Sequence, residues 1–145
     1  MKETAIASII GIIGGTVSTL FGGWNTSMTT LVIFMCIDYV TGLMVAGVFK
    51  KSKKTETGAL ESGIGFKGLC RKVAIMLAIL VACRLDIVIG STFVRDATCI
   101  GFITNETISL LENFSLMGVK LPKQLTKAID ILKAKEDEYE DTSEE

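Results

Sequence analysis

Hydrophobic residues in this chain are concentrated in long runs and do not alternate with polar positions. Residues 4–37 carry no charge, and further apolar runs follow a basic stretch. A helix that crosses a membrane needs about 20 apolar residues. The segments that approach this length are residues 5–23, 28–49, 73–94 and 98–116. The last is shorter and more polar, so three spans with one segment lying flat or re-entrant remain an alternative to four.

The chain changes character after residue 118. Pro122 suits the first turn of a new helix, and Leu125, Ile129 and Leu132 mark its apolar face. Residues 136–145 include seven acidic residues and no basic one, which is typical of a solvated, disordered tail. The predicted fold is therefore an all-α integral membrane protein. It has a transmembrane domain over 1–118 with three to four transmembrane helices, and over 119–145 a cytoplasmic amphipathic C-terminal helix followed by an acidic disordered tail.

Charge asymmetry predicts the orientation of these spans. The segment 50–72 has only Glu56 and Glu61 as acidic residues, so its charge is strongly positive. Its basic residues are Lys50, Lys51, Lys53, Lys54, Lys67, Arg71 and Lys72. By the positive-inside rule this loop is cytoplasmic, which also places the N-terminus inside. We expect a multi-pass protein, with anionic lipids of the bilayer as partners of the loop.

Composition excludes several functional classes. The net charge of −1 argues against nucleic acid as a partner, because phosphate binding requires a basic surface. The chain has no histidine, the commonest general base and metal ligand, and its four cysteines lack the spacing of a zinc site. We therefore expect no enzymatic activity, no catalytic residues, no metal and no cofactor.

Small residues recur at helical spacing within the apolar segments. In a membrane such rows let helix backbones approach closely, either inside one chain or between copies. The row in the first segment favours self-association, so we expect a homo-oligomer. The residues of this predicted packing face are Ala7, Gly11, Gly15, Gly42, Ala46, Ala74, Ala78 and Ala82.

Acidic residues lie inside the apolar segments, where a charge is costly unless it faces protein or water. On the fourth segment the polar residues share one arc of about 140°, which predicts a polar stripe. In one interpretation, the acidic residues and the polar stripe line an aqueous lumen. The alternative for Asp38 is a buried ion pair, with Arg84 as a plausible partner. The predicted polar face consists of Asp38, Thr41, Asp86, Asn105, Glu106, Ser109, Glu112 and Asn113.

An ordered set of short motifs covers roughly residues 28–133. It comprises the sequences DYVTG at 38–42, GFKG at 65–68, RK at 71–72, LD at 85–86, NE at 105–106, SLLEN at 109–113 and GVKLP at 118–122. In this order and spacing the chain resembles the toxin-secretion and phage-lysis holin family of Gram-positive phages and clostridial toxin loci. The resemblance implies a multi-pass protein that self-assembles in the cytoplasmic membrane of the bacterial host and forms lesions. Its indirect partner would be a cargo, either an endolysin or a protein toxin.

Two other functions stay open at this point. A small ion channel or transporter subunit would use the same intramembrane carboxylates to conduct ions or protons. A regulatory antiholin would bind a pore-forming protein and make no hole itself.

Overall fold

The computed structural model describes residues 1–141, apart from the side chain at position 140, and these residues form five α-helices with no strand among them. The predicted all-α fold is thus confirmed. The helices are α1 (Lys2–Leu20), α2 (Thr26–Gly47), α3 (Ser62–Ile89), α4 (Phe93–Leu116) and α5 (Lys123–Asp141).

Local sequence signals account for the sharp turns between helices. Gly22 and Gly23 adopt φ of 67° and 101° after α1, a region that glycine enters without steric cost. Asn25 then caps α2, since its side chain accepts a hydrogen bond of 2.9 Å from the backbone N–H of Met28. At the end of α3, Gly90 takes the left-handed conformation that commonly terminates a helix.

The third helix begins at Ser62, and not at Val73 where the apolar run starts. Residues 62–72 were expected to belong to a loop over 50–72, and this expectation is wrong for them. Hydropathy locates where a segment can contact lipid, whereas a helix continues for as long as its backbone hydrogen bonds are made. The glycines and cations of this stretch lower its hydropathy but do not interrupt the helix.

The centre of the bundle is α4, which packs against α2, α3 and α5. Cys99 and Ile103 of α4 meet Leu31 of α2 and Ile79 of α3 in the hydrophobic core. Buried positions occur all along α4, and its most exposed large apolar side chain is Ile108. A helix enclosed on several sides in this way positions polar side chains of its neighbours against one another.

The first helix stands apart from this bundle, and none of its residues is buried. A Cβ atom built on Gly11, Gly14 or Gly15 would have no neighbour within 4 Å. These glycines therefore make no close helix contact within one chain. The bundle is joined to α1 through Phe21, which is buried and makes an edge-on ring contact with Trp24.

Two of the described helices, α1 and α2, are long and apolar enough to cross a membrane, judged by length and composition. Large apolar side chains also cover the outward face of α3 at helical spacing, and these include Leu69, Val73, Leu77, Val81 and Leu85. The total of three to four spans stays a prediction.

The last helix packs along α4 in the opposite direction. Ile129 is buried as predicted, Leu132 is half-buried against the core and Leu125 is exposed. The rings of Phe93 and Tyr139 contact each other at a centroid distance of 5.5 Å, so α5 reaches back to the first residue of α4. The predicted disorder is wrong for residues 136–141, which continue α5, while residues 142–145 lie outside the described part.

Candidate functional site

A charged cluster joins α2, α3 and α4 inside the bundle. The Nζ of Lys72 lies 2.8 Å from Oδ2 of Asp38 and 2.6 Å from Oε2 of Glu106. The Lys72 side chain is 13% exposed and each carboxylate side chain is 9% exposed. One ammonium group thus bridges two carboxylates that come from different helices, and we call these three residues the ion cluster.

The second oxygen of Asp38 is held by α4. The Oγ of Ser109 donates to Oδ1 of Asp38 at 2.6 Å, and Nδ2 of Asn113 donates to the same oxygen at 3.0 Å. The Asn113 amide lies also 3.0 Å from Oγ1 of Thr41, which in turn donates to the backbone of its own helix. Both carboxylate oxygens of Asp38 are therefore paired, which is what a buried charge requires.

Lys72 takes the place that we had assigned to Arg84 as a plausible partner of Asp38, so that pairing is wrong. The reason is helical periodicity. Successive positions seven residues apart share the inward face of α3, and these are Lys72, Ile79 and Asp86. Arg84 lies off this row and is exposed.

The other aspartate of the predicted polar face, Asp86, has a different role in the monomer. Asp86 is buried near the end of α3, and its Oδ1 accepts from Oγ of Ser91 at 2.5 Å and from the backbone N–H of Val94 at 3.1 Å. Its Oδ2 accepts from the backbone N–H of Arg95 at 2.8 Å. A carboxylate that satisfies the free N–H groups of the first turn is a helix cap, so Asp86 ties α3 to the start of α4.

The remaining residues of the predicted polar stripe point away from the ion cluster. Asn105 is exposed, and Glu112 forms an exposed ion pair of 2.6 Å with Lys53 of the α2–α3 loop. The predicted polar face is thus divided in the monomer: Asp38, Thr41, Glu106, Ser109 and Asn113 meet inside the bundle. Whether any of these residues lines a lumen in an assembly stays a prediction.

The predicted packing residues also fall into separate groups. Ala46 and Ala82 are buried within the chain, and a Cβ on Gly42 would lie 3.9 Å from Nδ2 of Asn113. Ala78 is half-buried and Ala74 is exposed. The exposed members on α1 are Ala7, Gly11 and Gly15.

A sequence model of a known protein family matches most of this chain. The model of the bacteriophage holin family matches residues 15–134, a range that includes the ion cluster, the Asp86 cap and most of α5. The chain belongs to the bacteriophage holin family. The resemblance seen in the sequence motifs is thereby confirmed, and the apolar helices agree with the membrane location of a holin.

Relatives of this holin-family chain share its length as well as its sequence. An uncharacterized protein of Listeria innocua is 38% identical over 135 residues, covering 91% of each chain. A 14.9 kDa protein in the nagH 3′ region of Clostridium perfringens is 37% identical and covers 83% of this chain and 88% of its own. A probable holin of Bacillus phage phi105 is 28% identical over 109 residues, 74% of this chain and 75% of its own. No solved structure matches.

Two cations of the basic segment are used inside the holin monomer. Lys72 belongs to the ion cluster and Lys53 pairs with Glu112. The other five are exposed, and none has an acidic partner within the part of the chain that the structure describes; they are Lys50, Lys51, Lys54, Lys67 and Arg71.

The inward position of Lys72 was not predicted, although helical periodicity in the sequence indicates it. Extending the helical row of the third segment upstream from Asp86 by two heptads leads to Lys72. This row was overlooked because Lys72 was counted among the cations of the loop.

Among residues 1–141, no group of three or more His, Cys, Asp or Glu side chains is arranged so that it could hold a metal ion.

Proposed function

We propose that this chain is a holin that self-assembles in the cytoplasmic membrane and forms lesions, without any enzymatic step. Through these lesions a phage endolysin or a protein toxin leaves the cell. Membership of the bacteriophage holin family supports the proposal, as does similarity to the probable holin of phage phi105. The structural observation that carries it is a monomer with one apolar side and one charged side.

The apolar side belongs to α2 and α3. Ile33, Val40 and Met44 project from α2, and Leu77 and Val81 from α3, all of them at least two-fifths exposed. A continuous apolar surface of this kind is stable against lipid chains but not against water. In our proposal this side faces the bilayer, and the basic loop lies in the cytoplasm.

The charged side belongs to α5, which packs along α4. In our proposal α5 therefore shares the depth of α4 in the membrane, which replaces the cytoplasmic position expected from the sequence. Its exposed face carries Lys127, Asp130, Lys133, Lys135 and Asp137. A charged side chain at the bilayer centre costs about 2.5–3.5 kcal/mol, so this face cannot remain against lipid. If α4 spans the membrane, copies that arrange their α5 faces around water remove this cost. The lumen in our proposal is thus lined by α5, together with the exposed Asn105 and Glu112.

Association between copies is assigned to α1 in this proposal. Its Gly11 and Gly15 have open space beside them in the monomer, and small residues at this spacing let a second helix approach closely. Substituting Gly15→Leu should therefore delay or abolish lesion formation. The matched control is Ile12→Leu, an exposed position on the same helix where a large side chain is already present.

The size of what passes the membrane tests the function. The chain is expressed from an inducible promoter without other phage proteins, and release of K⁺ and of a folded cytosolic reporter enzyme is followed. A holin releases both. Release of K⁺ alone would identify a small channel, and release of neither from cells that keep growing would identify an antiholin.

Thiol labelling tests the lumen. In a background without the four native cysteines, Lys133→Cys is exposed to an impermeant thiol reagent outside the cell. We expect labelling to begin when the reporter enzyme leaves, while Leu77→Cys on the lipid-facing side of α3 stays unlabelled. Release of the enzyme with Lys133→Cys still unlabelled, after the label is shown to enter the cells, would refute a lumen lined by α5.

A further inference from the structure

An open apolar groove lies where α3 diverges from α2, close to the basic loop. It is lined by Tyr39 and Leu43 on α2, Leu60 ahead of α3, and Ser62, Gly65, Phe66 and Leu69 on α3. Its volume of about 560 Å³ falls within the ordinary range of ligand sites, roughly 300–1,000 Å³. We propose that this groove binds one anionic glycerophospholipid of the leaflet next to the basic loop, an inference that goes beyond lesion formation.

Glycine on α3 creates the space. A Cβ on Gly65 would lie 3.9 Å from Oη of Tyr39 and 4.0 Å from Cδ2 of Leu43, and a Cβ on Gly68 would lie 4.0 Å from Cε2 of Tyr39. These are ordinary contact distances, so alanine would fit, whereas a larger side chain at position 65 would fill the groove. The space is bounded by residues whose large apolar surface is open, since Leu60 is 52% and Phe66 is 66% exposed. An acyl chain is a ligand that covers the apolar part of these walls.

The loop end of the groove provides the charge. The backbone N–H of Lys51 bonds to the carbonyl of Val45, which folds the start of the loop back on the end of α2. Leu60 lies against this same end, because a Cβ on Gly47 would be 3.9 Å from its Cδ2. The start of the basic loop and the apolar wall thus lie together at this end of the groove, as the headgroup and acyl chains of a lipid do. Three loop cations have no acidic partner among the described residues: Lys50, Lys51 and Lys54.

Charge complementarity selects an anionic over a zwitterionic lipid. A lysine near an anionic membrane surface contributes about 1 kcal/mol, roughly fivefold in affinity. Three such lysines on the loop that adjoins the groove favour a headgroup with a net negative charge. Tyr39 adds a hydroxyl to the groove wall, 3.9 Å from the position of a Cβ atom built on Gly65.

Fluorescence quenching by brominated lipid tests the proposal. The full-length Trp24→Phe variant, which lacks the natural tryptophan, receives Phe66→Trp in the groove wall and is reconstituted into vesicles. Either phosphatidylglycerol or phosphatidylcholine carries brominated acyl chains, and the mole fraction of the brominated lipid is varied, with circular dichroism checking the fold. We expect half-maximal quenching at a mole fraction of brominated phosphatidylglycerol at least roughly fivefold lower than that of brominated phosphatidylcholine.

Two variants and a control make the result specific. Replacing Lys50, Lys51 and Lys54 by Gln should remove the preference for phosphatidylglycerol, and Gly65→Leu should weaken quenching by both lipids. The control replaces three other exposed lysines, Lys120, Lys123 and Lys127, by Gln and should keep the preference. Equal quenching by the two lipids, or loss of the preference in the control as well, would overturn the proposal. So would quenching that falls as protein is added at constant lipid composition, because a second copy would then occupy the groove.

Discussion

Removing the ammonium group of the ion cluster is the most informative perturbation of this structure. Lys72→Met keeps an unbranched chain of similar length but leaves Asp38 and Glu106 without a cation. Breaking a buried ion pair by deleting one partner costs about 3–5 kcal/mol. Because Lys72 serves two carboxylates at 2.8 and 2.6 Å, we expect a loss of unfolding free energy at the upper end of this range.

Thermal unfolding in detergent, followed by circular dichroism, measures this loss. At roughly 2–4 °C per kcal/mol for a chain of about this size, Lys72→Met should lower Tm by roughly 10–20 °C. Arg71→Met is the matched control, since Arg71 is the adjacent residue on α3, exposed and without an ion pair within the described chain. A change at such a surface position is expected to stay within about 0.5 kcal/mol.

A neutral version of the whole cluster separates charge from packing. In the variant Asp38→Asn, Lys72→Met, Glu106→Gln, no charge remains in the ion cluster, and Oδ1 of residue 38 still accepts from Ser109 and Asn113. Replacing a complete buried ion cluster is often neutral or stabilising, so we expect recovery of most of the lost stability. If Lys72→Met has the same Tm as Arg71→Met, the ion cluster does not hold the helices together. If the triple variant is no more stable than Lys72→Met, unpaired charge is not the cause.

Further predictions concern the other polar contacts and the thiols. Asp86→Ala should lower the unfolding free energy by about 1–2 kcal/mol through loss of the α4 cap, whereas Asp86→Asn keeps the Oδ1 acceptor and should lose less in the same denaturation series; equal losses would contradict the capping role. Glu112→Gln breaks an exposed pair with Lys53 and should change the unfolding free energy by less than about 1 kcal/mol in the same assay, so a larger loss would mean that this pair holds the loop in place. Mass spectrometry after brief maleimide treatment of the folded protein in detergent should find two cysteines modified and two protected, and early modification of the protected pair would contradict the packing of α3 on α4. The exposed pair is Cys36 and Cys70, and the buried pair is Cys83 and Cys99.

The helical class and the family followed from local features of the sequence. Apolar runs, the turn at Gly22 and Gly23, and Pro122 are properties of neighbouring residues, so each predicts its own helix or turn without knowledge of the rest. The start of α3 was missed for the same reason. Hydropathy falls at Gly65, Lys67 and Gly68, although nothing there interrupts the backbone hydrogen bonds.

The sequence by itself determined that carboxylates lie inside apolar helices and must find partners or water, because a bare charge there is too costly. It did not determine which partner each carboxylate takes. Asp38 and Lys72 are 34 residues apart, as are Lys72 and Glu106, so their meeting depends on how α2, α3 and α4 are rotated and offset against one another. That alignment is set by core contacts such as Leu31 with Ile79 and Cys99. Only the tertiary structure therefore decided that Lys72, and not Arg84, neutralises Asp38, and that Asp86 caps α4.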